Sequence, residues 1–77
     1  MKIAIVLINW NGEKLLRKFL PRLIKYSDNA SIYIIDNNST DNSVKFVKSN
    51  FSEIIMICHD KNLGFAEGYN KGLMNIN

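Results

Sequence analysis

Cysteine, proline and histidine occur once each in this chain, and glycine four times. A lone thiol, Cys58, cannot close an internal disulfide. Set in an apolar stretch, it reads as a small buried hydrophobe. Cys58-His59-Asp60 does spell nucleophile, base and carboxylate. Consecutive residues of an extended segment point in alternate directions, however, so they do not form a triad. No apolar run approaches the roughly 18 residues that cross a bilayer. Neither G-x-G-x-x-G nor G-x-x-x-x-G-K-[ST] occurs, which removes the two familiar phosphate cradles. Asn9-Trp10-Asn11 stands where a phosphate receiver would need an acidic pair. Repeats, low-complexity tracts and linkers are also missing.

What is there is ordinary globular composition. Hydrophobic residues make up 47% and charged residues 22% of 77 positions, so the chain is neither disordered nor larger than one domain. A chain this short buries a modest share of its surface, so it is marginally stable or part of something larger. Lys2 followed by Ile3 to Ile8 resembles a signal sequence only loosely. The run is short and lacks a small-residue cleavage site, so it reads as a buried strand of a cytoplasmic protein. The net charge of +3 raises the question of nucleic acid. Position answers it: Lys14, Arg17, Lys18, Arg22 and Lys25 recur at helical spacing opposite Leu15, Leu16, Phe19, Leu20, Leu23 and Ile24. That is the solvated side of an amphipathic helix, and no nucleic-acid partner is expected.

Three times an apolar, β-branched run ends in a polar turn and gives way to a helix-period stretch. The first strand is read as Lys2 to Ile8, followed by a helix from Asn11 or Gly12 to about Tyr26. Pro21 should kink or split that helix. The second strand runs from Ser31 to Ile35 and ends at Asp36. Thr40 is then expected to cap a helix from Asp41 to about Asn50. The third strand runs from Glu53 to Cys58, and a helix follows from Phe65 to about Ile76. Such alternation predicts an α/β fold with a Rossmann-like open parallel sheet in the order 3-2-1. Both crossovers run the same way, so the first two helices share a face. Strand one becomes an exposed apolar edge, which calls for a cover.

In an open parallel sheet, ligands bind at the carboxyl ends of the strands. The residues gathered there are Ile8, Asn9, Trp10 and Asn11 after strand one, and Asp36 and Asn37 after strand two. Asn62, Gly64, Gly68 and Asn70 follow strand three. A carboxylate or amide beside a flat aromatic suits a nucleobase: one pairs with a ring N–H, the other lies on the ring face. Trp10 has a plainer alternative, as a plug for the sheet edge. The backbone N–H groups at Asn11-Gly12 offer an approach for an anion. Gly64, just before a helix N-terminus, suits a diphosphate. For Ser39, Thr40 and Asp41, turn and capping chemistry is the leading reading.

Ile5-Val6-Leu7-Ile8-Asn9-Trp10-Asn11-Gly12, then Ile34-Ile35-Asp36-Asn37-Asn38-Ser39-Thr40-Asp41-Asn42-Ser43, then Asn62-Leu63-Gly64-Phe65-Ala66-Glu67-Gly68-Tyr69-Asn70-Lys71-Gly72 resemble the opening of a family 2 glycosyltransferase. The likeness is to the GT-A fold and its rhamnosyltransferase-like branch, which builds bacterial cell-surface polysaccharides. It covers essentially all 77 residues. The resemblance implies inverting transfer from a nucleoside-diphosphate sugar of the UDP or dTDP type to a saccharide or lipid-linked acceptor, assisted by a divalent metal (Mg or Mn). It also implies a cytoplasmic location, at the inner face of the membrane for the intact enzyme. Ile8, Trp10, Asp36 and Asn37 match the family's nucleobase positions, although many members carry a second aspartate where this chain has Asn37. Asn62, Gly64, Gly68 and Asn70 match the loop lining the donor pocket. The metal-binding Asp-x-Asp and the catalytic base would lie beyond Asn77. Residues 1–77 are thus read as one partial domain, without catalytic or metal-binding residues and inactive alone. Two other readings stand beside it. One is a free-standing nucleotide-binding or regulatory module; the other is an interaction domain that self-associates through strand one.

Overall fold

The computed structural model describes residues 3–76. The elements follow in the order β1 (Ile3–Asn9), α1 (Glu13–Lys25), β2 (Ala30–Asp36), α2 (Ser43–Asn50), β3 (Ile55–Cys58) and α3 (Phe65–Met74). Lys2, read as the first residue of strand one, lies outside the described residues. The three strands form one parallel sheet with β2 in the middle, the order expected from the short right-handed crossovers. Its register sets Leu7 beside Ile34, Asn9 beside Asp36, and Asp36 beside Cys58.

Alternation along β2 decides what each face meets. Ile32 and Ile34 turn towards α1 and α2 and pack with Leu16, Leu20, Val47 and Ile54 into the core. Ile35 turns the other way and is also fully buried. Gly72 of α3 lies against it so closely that a Cβ there would overlap Ile35 Cδ1 and Cγ1. The central strand therefore has helices on both faces, which is why it reads as a nearly continuous apolar run.

Four details depart from the sequence reading. α1 is not split at Pro21 but runs through it as one helix. The missing N–H falls on the exposed face, where both Pro21 and Arg17, whose carbonyl loses its partner, lie. Leu15 and Phe19, counted with the buried stripe, are 69% and 42% exposed. Of that stripe the core takes Leu16 and Leu20. α2 begins at Ser43 with Asn42 as its cap residue, and Thr40 does not cap it. The Asp41 carboxylate takes the Ser43 N–H at 2.9 Å, while the Thr40 N–H is held by Asn11 Oδ1 at 2.7 Å. Cys58 is exposed rather than buried, because it ends an outer strand of the sheet.

Candidate functional site

The ends of β1 and β2 are tied together by buried polar groups. Asn9 Nδ2 donates to Asp36 Oδ1 at 2.9 Å, to Ser39 Oγ at 3.2 Å and to Ser43 Oγ at 2.9 Å. Asp36 also accepts the Ser39 N–H at 2.8 Å and the Ser39 hydroxyl at 2.7 Å. Asp36 is only 2% exposed, so its carboxyl oxygens meet protein donors rather than solvent. Burying such a group is tolerable only with several donors aimed at it. On the described residues, buried side-chain polar atoms are all partnered.

The start of α1 is consumed in the same manner. Gly12 N–H donates to Asn9 Oδ1 at 3.1 Å, Asn11 N–H to Ser39 Oγ at 2.9 Å, and Glu13 N–H to Asp41 Oδ2 at 3.1 Å. Asn11, in the left-handed region at φ 52°, turns its side chain across to the second loop. The anion approach expected at Asn11-Gly12 is therefore closed, since those N–H groups already have partners.

Asp41 is held below the usual carboxylate range. Partial burial pulls the other way, but hydrogen bonds from the Ser43 hydroxyl and amide and from the Glu13 amide outweigh it. A carboxyl whose pKa is lowered by folding adds stability above its unfolded value, about 3.9. That contribution disappears as pH falls through the lower folded value. Urea denaturation stepped from pH 7 to pH 2 should show stability declining from about pH 4 downwards. The decline should be shallower in Asp41→Asn, which keeps an acceptor oxygen but cannot protonate.

Asn37 points to the opposite face from Asp36. Its side chain bonds to Asn62, Leu63 and Gly64 of the third loop. His59 is buried as well, its N–H donating to Asp36 O at 2.9 Å and its ring Nε2 to the Gly68 carbonyl at 2.8 Å. The carbonyl can only accept, so Nε2 carries the proton. α3 starts at Phe65 without a side-chain cap.

Between these loops lies a cleft of about 420 Å³ lined by Ile8, Asn9, Trp10, Gly12, Leu15, Asn37, Asn62, Gly64 and Phe65. A hollow of similar size, about 400 Å³, opens beside Tyr26 at the other end of the sheet. Size does not separate the two; position does, because only the first lies at the carboxyl ends of the strands. Of the residues singled out by sequence, Ile8, Asn9, Trp10, Asn37, Asn62 and Gly64 meet in this cleft. Asp36 and Gly68 are buried behind the wall, Asn11 is exposed and bonded to the second loop, and Asn70 is exposed further along α3. Leu15 and Phe65 were missed. Leu15 looked like core, and a phenylalanine opening a helix gives no sign that it will remain 74% exposed.

Among the described residues, no three His, Cys, Asp or Glu side chains come together to hold a metal ion. His59 already serves Gly68, and Asp60 is exposed. The residues present do not fit a divalent cation.

The sequence pattern described as Glycosyl transferase family 2 matches residues 4–77. The chain belongs to that family. No curated protein matches it closely enough to count as a relative. Among solved structures it is similar to the mannosyltransferase PcManGT from Pyrobaculum calidifontis, determined in complex with GDP-Man and Mn2+. The TM-score is 0.79 at 16% identity, over 97% of this chain and 24% of that one. At that identity the likeness speaks for the fold, the Rossmann-like α/β sheet of GT-A glycosyltransferases. The chain spans about a quarter of the length of that structure. Among the described residues, no helix is long and apolar enough to cross a membrane.

Proposed function

We propose that this glycosyltransferase chain forms the nucleotide-binding part of an inverting enzyme. Its donor is a nucleoside-diphosphate sugar. Its acceptor is a cell-surface polysaccharide or glycolipid, built at the cytoplasmic face of the membrane. The observation that carries the reading is the cleft itself. It joins the ends of β1 and β2 to the start of α3, with the exposed rings of Trp10 and Phe65 on its wall. A nucleobase is flat and apolar on its faces, and an exposed tryptophan beside a partly polar floor is suited to it. The uncapped N-terminus of α3 is suited to a diphosphate, its free N–H groups and positive dipole end facing the anion. Residues Ile8, Asn9, Trp10, Asn37, Asn62 and Gly64 are assigned to the donor, with Asn11, Asp36 and Gly68 supporting them and Asn70 at the margin.

The base remains a choice among three. The sequence resemblance favours UDP or dTDP and the rhamnosyltransferase-like branch, whereas PcManGT was solved with GDP-Man. No step is assigned to a metal, because the described residues do not fit one. The 77 residues alone are expected to bind donor nucleotide but not to transfer sugar.

Trp10 is the chain's only tryptophan, so its fluorescence reports on this cleft alone. Titration with UDP, dTDP and GDP should quench it saturably, with one nucleotide clearly preferred. Quenching that is identical for all three and for ribose 5-phosphate would speak against a base site. An interaction surface along β1 is the second reading, favoured by Ile3 at 53% exposure on the sheet edge. A symmetric dimer in light scattering, lost on placing a lysine at Ile3, would move that reading ahead.

A further inference from the structure

Asn37 is a buried amide with no freedom left in its orientation. Its Oδ1 accepts the Leu63 N–H at 3.0 Å, and its Nδ2 donates to the Gly64 carbonyl at 2.8 Å. Backbone N–H groups only donate and carbonyls only accept, so these two contacts fix which end is oxygen. The second Nδ2 proton goes to Asn62 Oδ1 at 3.1 Å. Asn62 Oδ1 in turn accepts the Gly64 N–H at 2.8 Å, closing a ring around the loop. Beneath the amide, Gly68 leaves the space: a Cβ there would lie 2.7 Å from Asn37 Nδ2 and 2.9 Å from its Cγ. Gly64 sits at φ 80°, a conformation that favours glycine.

We infer that Asn37 is a positioning residue of the donor site: its amide fixes residues 62–65 as one wall of the cleft, and both of its protons are spent on that task. The inference rests on the reading of the cleft as a nucleotide site and refines it. A base in the cleft finds no side-chain donor at position 37. It meets at most the second lone pair of Oδ1, while the amide's main effect is the placement of Gly64 and Phe65.

An amide and a carboxylate are therefore not interchangeable here. A carboxylate could still accept the Leu63 N–H, but it would face the Gly64 carbonyl, which also accepts the Gly68 N–H at 3.0 Å. Asn62 can rotate its amide to donate; a backbone carbonyl cannot. Two like dipoles would then be forced together in a buried place. Protonation would restore a donor, so the defect should depend on pH.

The test is backbone amide hydrogen exchange of the 77-residue chain, free of nucleotide, with Asn37→Asp, Asn37→Ala and Gly68→Ala beside the parent. In Asn37→Asp at pH 7, Leu63 should exchange at least tenfold faster relative to its intrinsic rate, with core amides such as Ile34 unchanged. Below the carboxyl pKa that excess should shrink, whereas in Asn37→Ala it should persist at every pH. Gly68→Ala should disturb the same amides without any pH dependence. Unchanged protection of Leu63 in Asn37→Asp, or equal excess for Asp and Ala at all pH values, would overturn the inference. A parallel nucleotide titration of the parent chain reports separately on the site. If the parent fails to bind, the donor reading fails while the exchange data still decide the clamp.

Discussion

Replacing Asp36 by alanine should destabilise the fold by about 3 kcal/mol. The carboxylate is almost fully buried and accepts from Asn9, from the Ser39 amide and from the Ser39 hydroxyl. Hydrogen bonds to a charged group contribute roughly 1.5–3 kcal/mol, and a buried donor left alone costs about 1–3 kcal/mol. Asn9 Nδ2 keeps Ser39 and Ser43 as partners and the hydroxyl can turn away, but the Ser39 N–H is stranded. A folded chain of this length has in total roughly 4–12 kcal/mol of stability. Losing about 3 kcal/mol would raise the unfolded fraction more than a hundredfold. Urea denaturation followed by circular dichroism measures the change. Asp36→Ala with unaltered stability and abolished nucleotide binding would show instead that the carboxylate touches the base directly, as the sequence pattern first suggested.

Replacing Trp10 by alanine should do the reverse. Its ring is 56% exposed on the cleft wall, so little core packing is lost and the urea midpoint should hardly move. A base stacked on an aromatic ring gains about 1–3 kcal/mol, so nucleotide affinity should fall roughly 5- to 150-fold. Trp10→Phe should recover part of that loss, since a smaller ring still offers a face. Calorimetric titration checks both. If Trp10→Ala lowers stability by as much as Asp36→Ala, the ring is a plug for the sheet edge.

These two residues also show what was legible from sequence. The sheet was, because three β-branched runs separated by helix-length stretches leave few topologies open once crossovers must be right-handed. The convergence of three turns on one edge followed directly, and so did the family, whose pattern spans residues 4–77. The division of labour between Asp36 and Asn37 was not legible. Adjacent positions at a strand end face opposite sides. Only the register, with Asn9 beside Asp36, sends the carboxylate under α2 and leaves the amide to the cleft. Periodicity likewise identified the apolar side of α1 without saying how much of it the sheet would cover. Leu16 and Leu20 are buried, whereas Leu15 reaches the cleft and Phe19 is left exposed. The start of α2 was misread for a different reason. Asp41 binds the Ser43 N–H from outside the helix, while Asn11, distant in sequence, holds Thr40 and Asp41 in the loop.

The central claim is that the cleft at the carboxyl ends of the strands is a nucleotide site, and amide-resolved NMR titration tests it most directly. UDP, dTDP and GDP would each be added to the labelled chain, with and without Mg2+. Saturable shifts should cluster at Ile8 to Gly12, at Asn37 and Asn38, and at Asn62 to Gly68. One nucleotide should lead, and Mg2+ should have little effect, because no three His, Cys, Asp or Glu side chains of the described residues gather to hold it. A well-dispersed spectrum that no nucleotide perturbs at those residues, or shifts gathered at the far end of the sheet around Tyr26, would contradict the assignment.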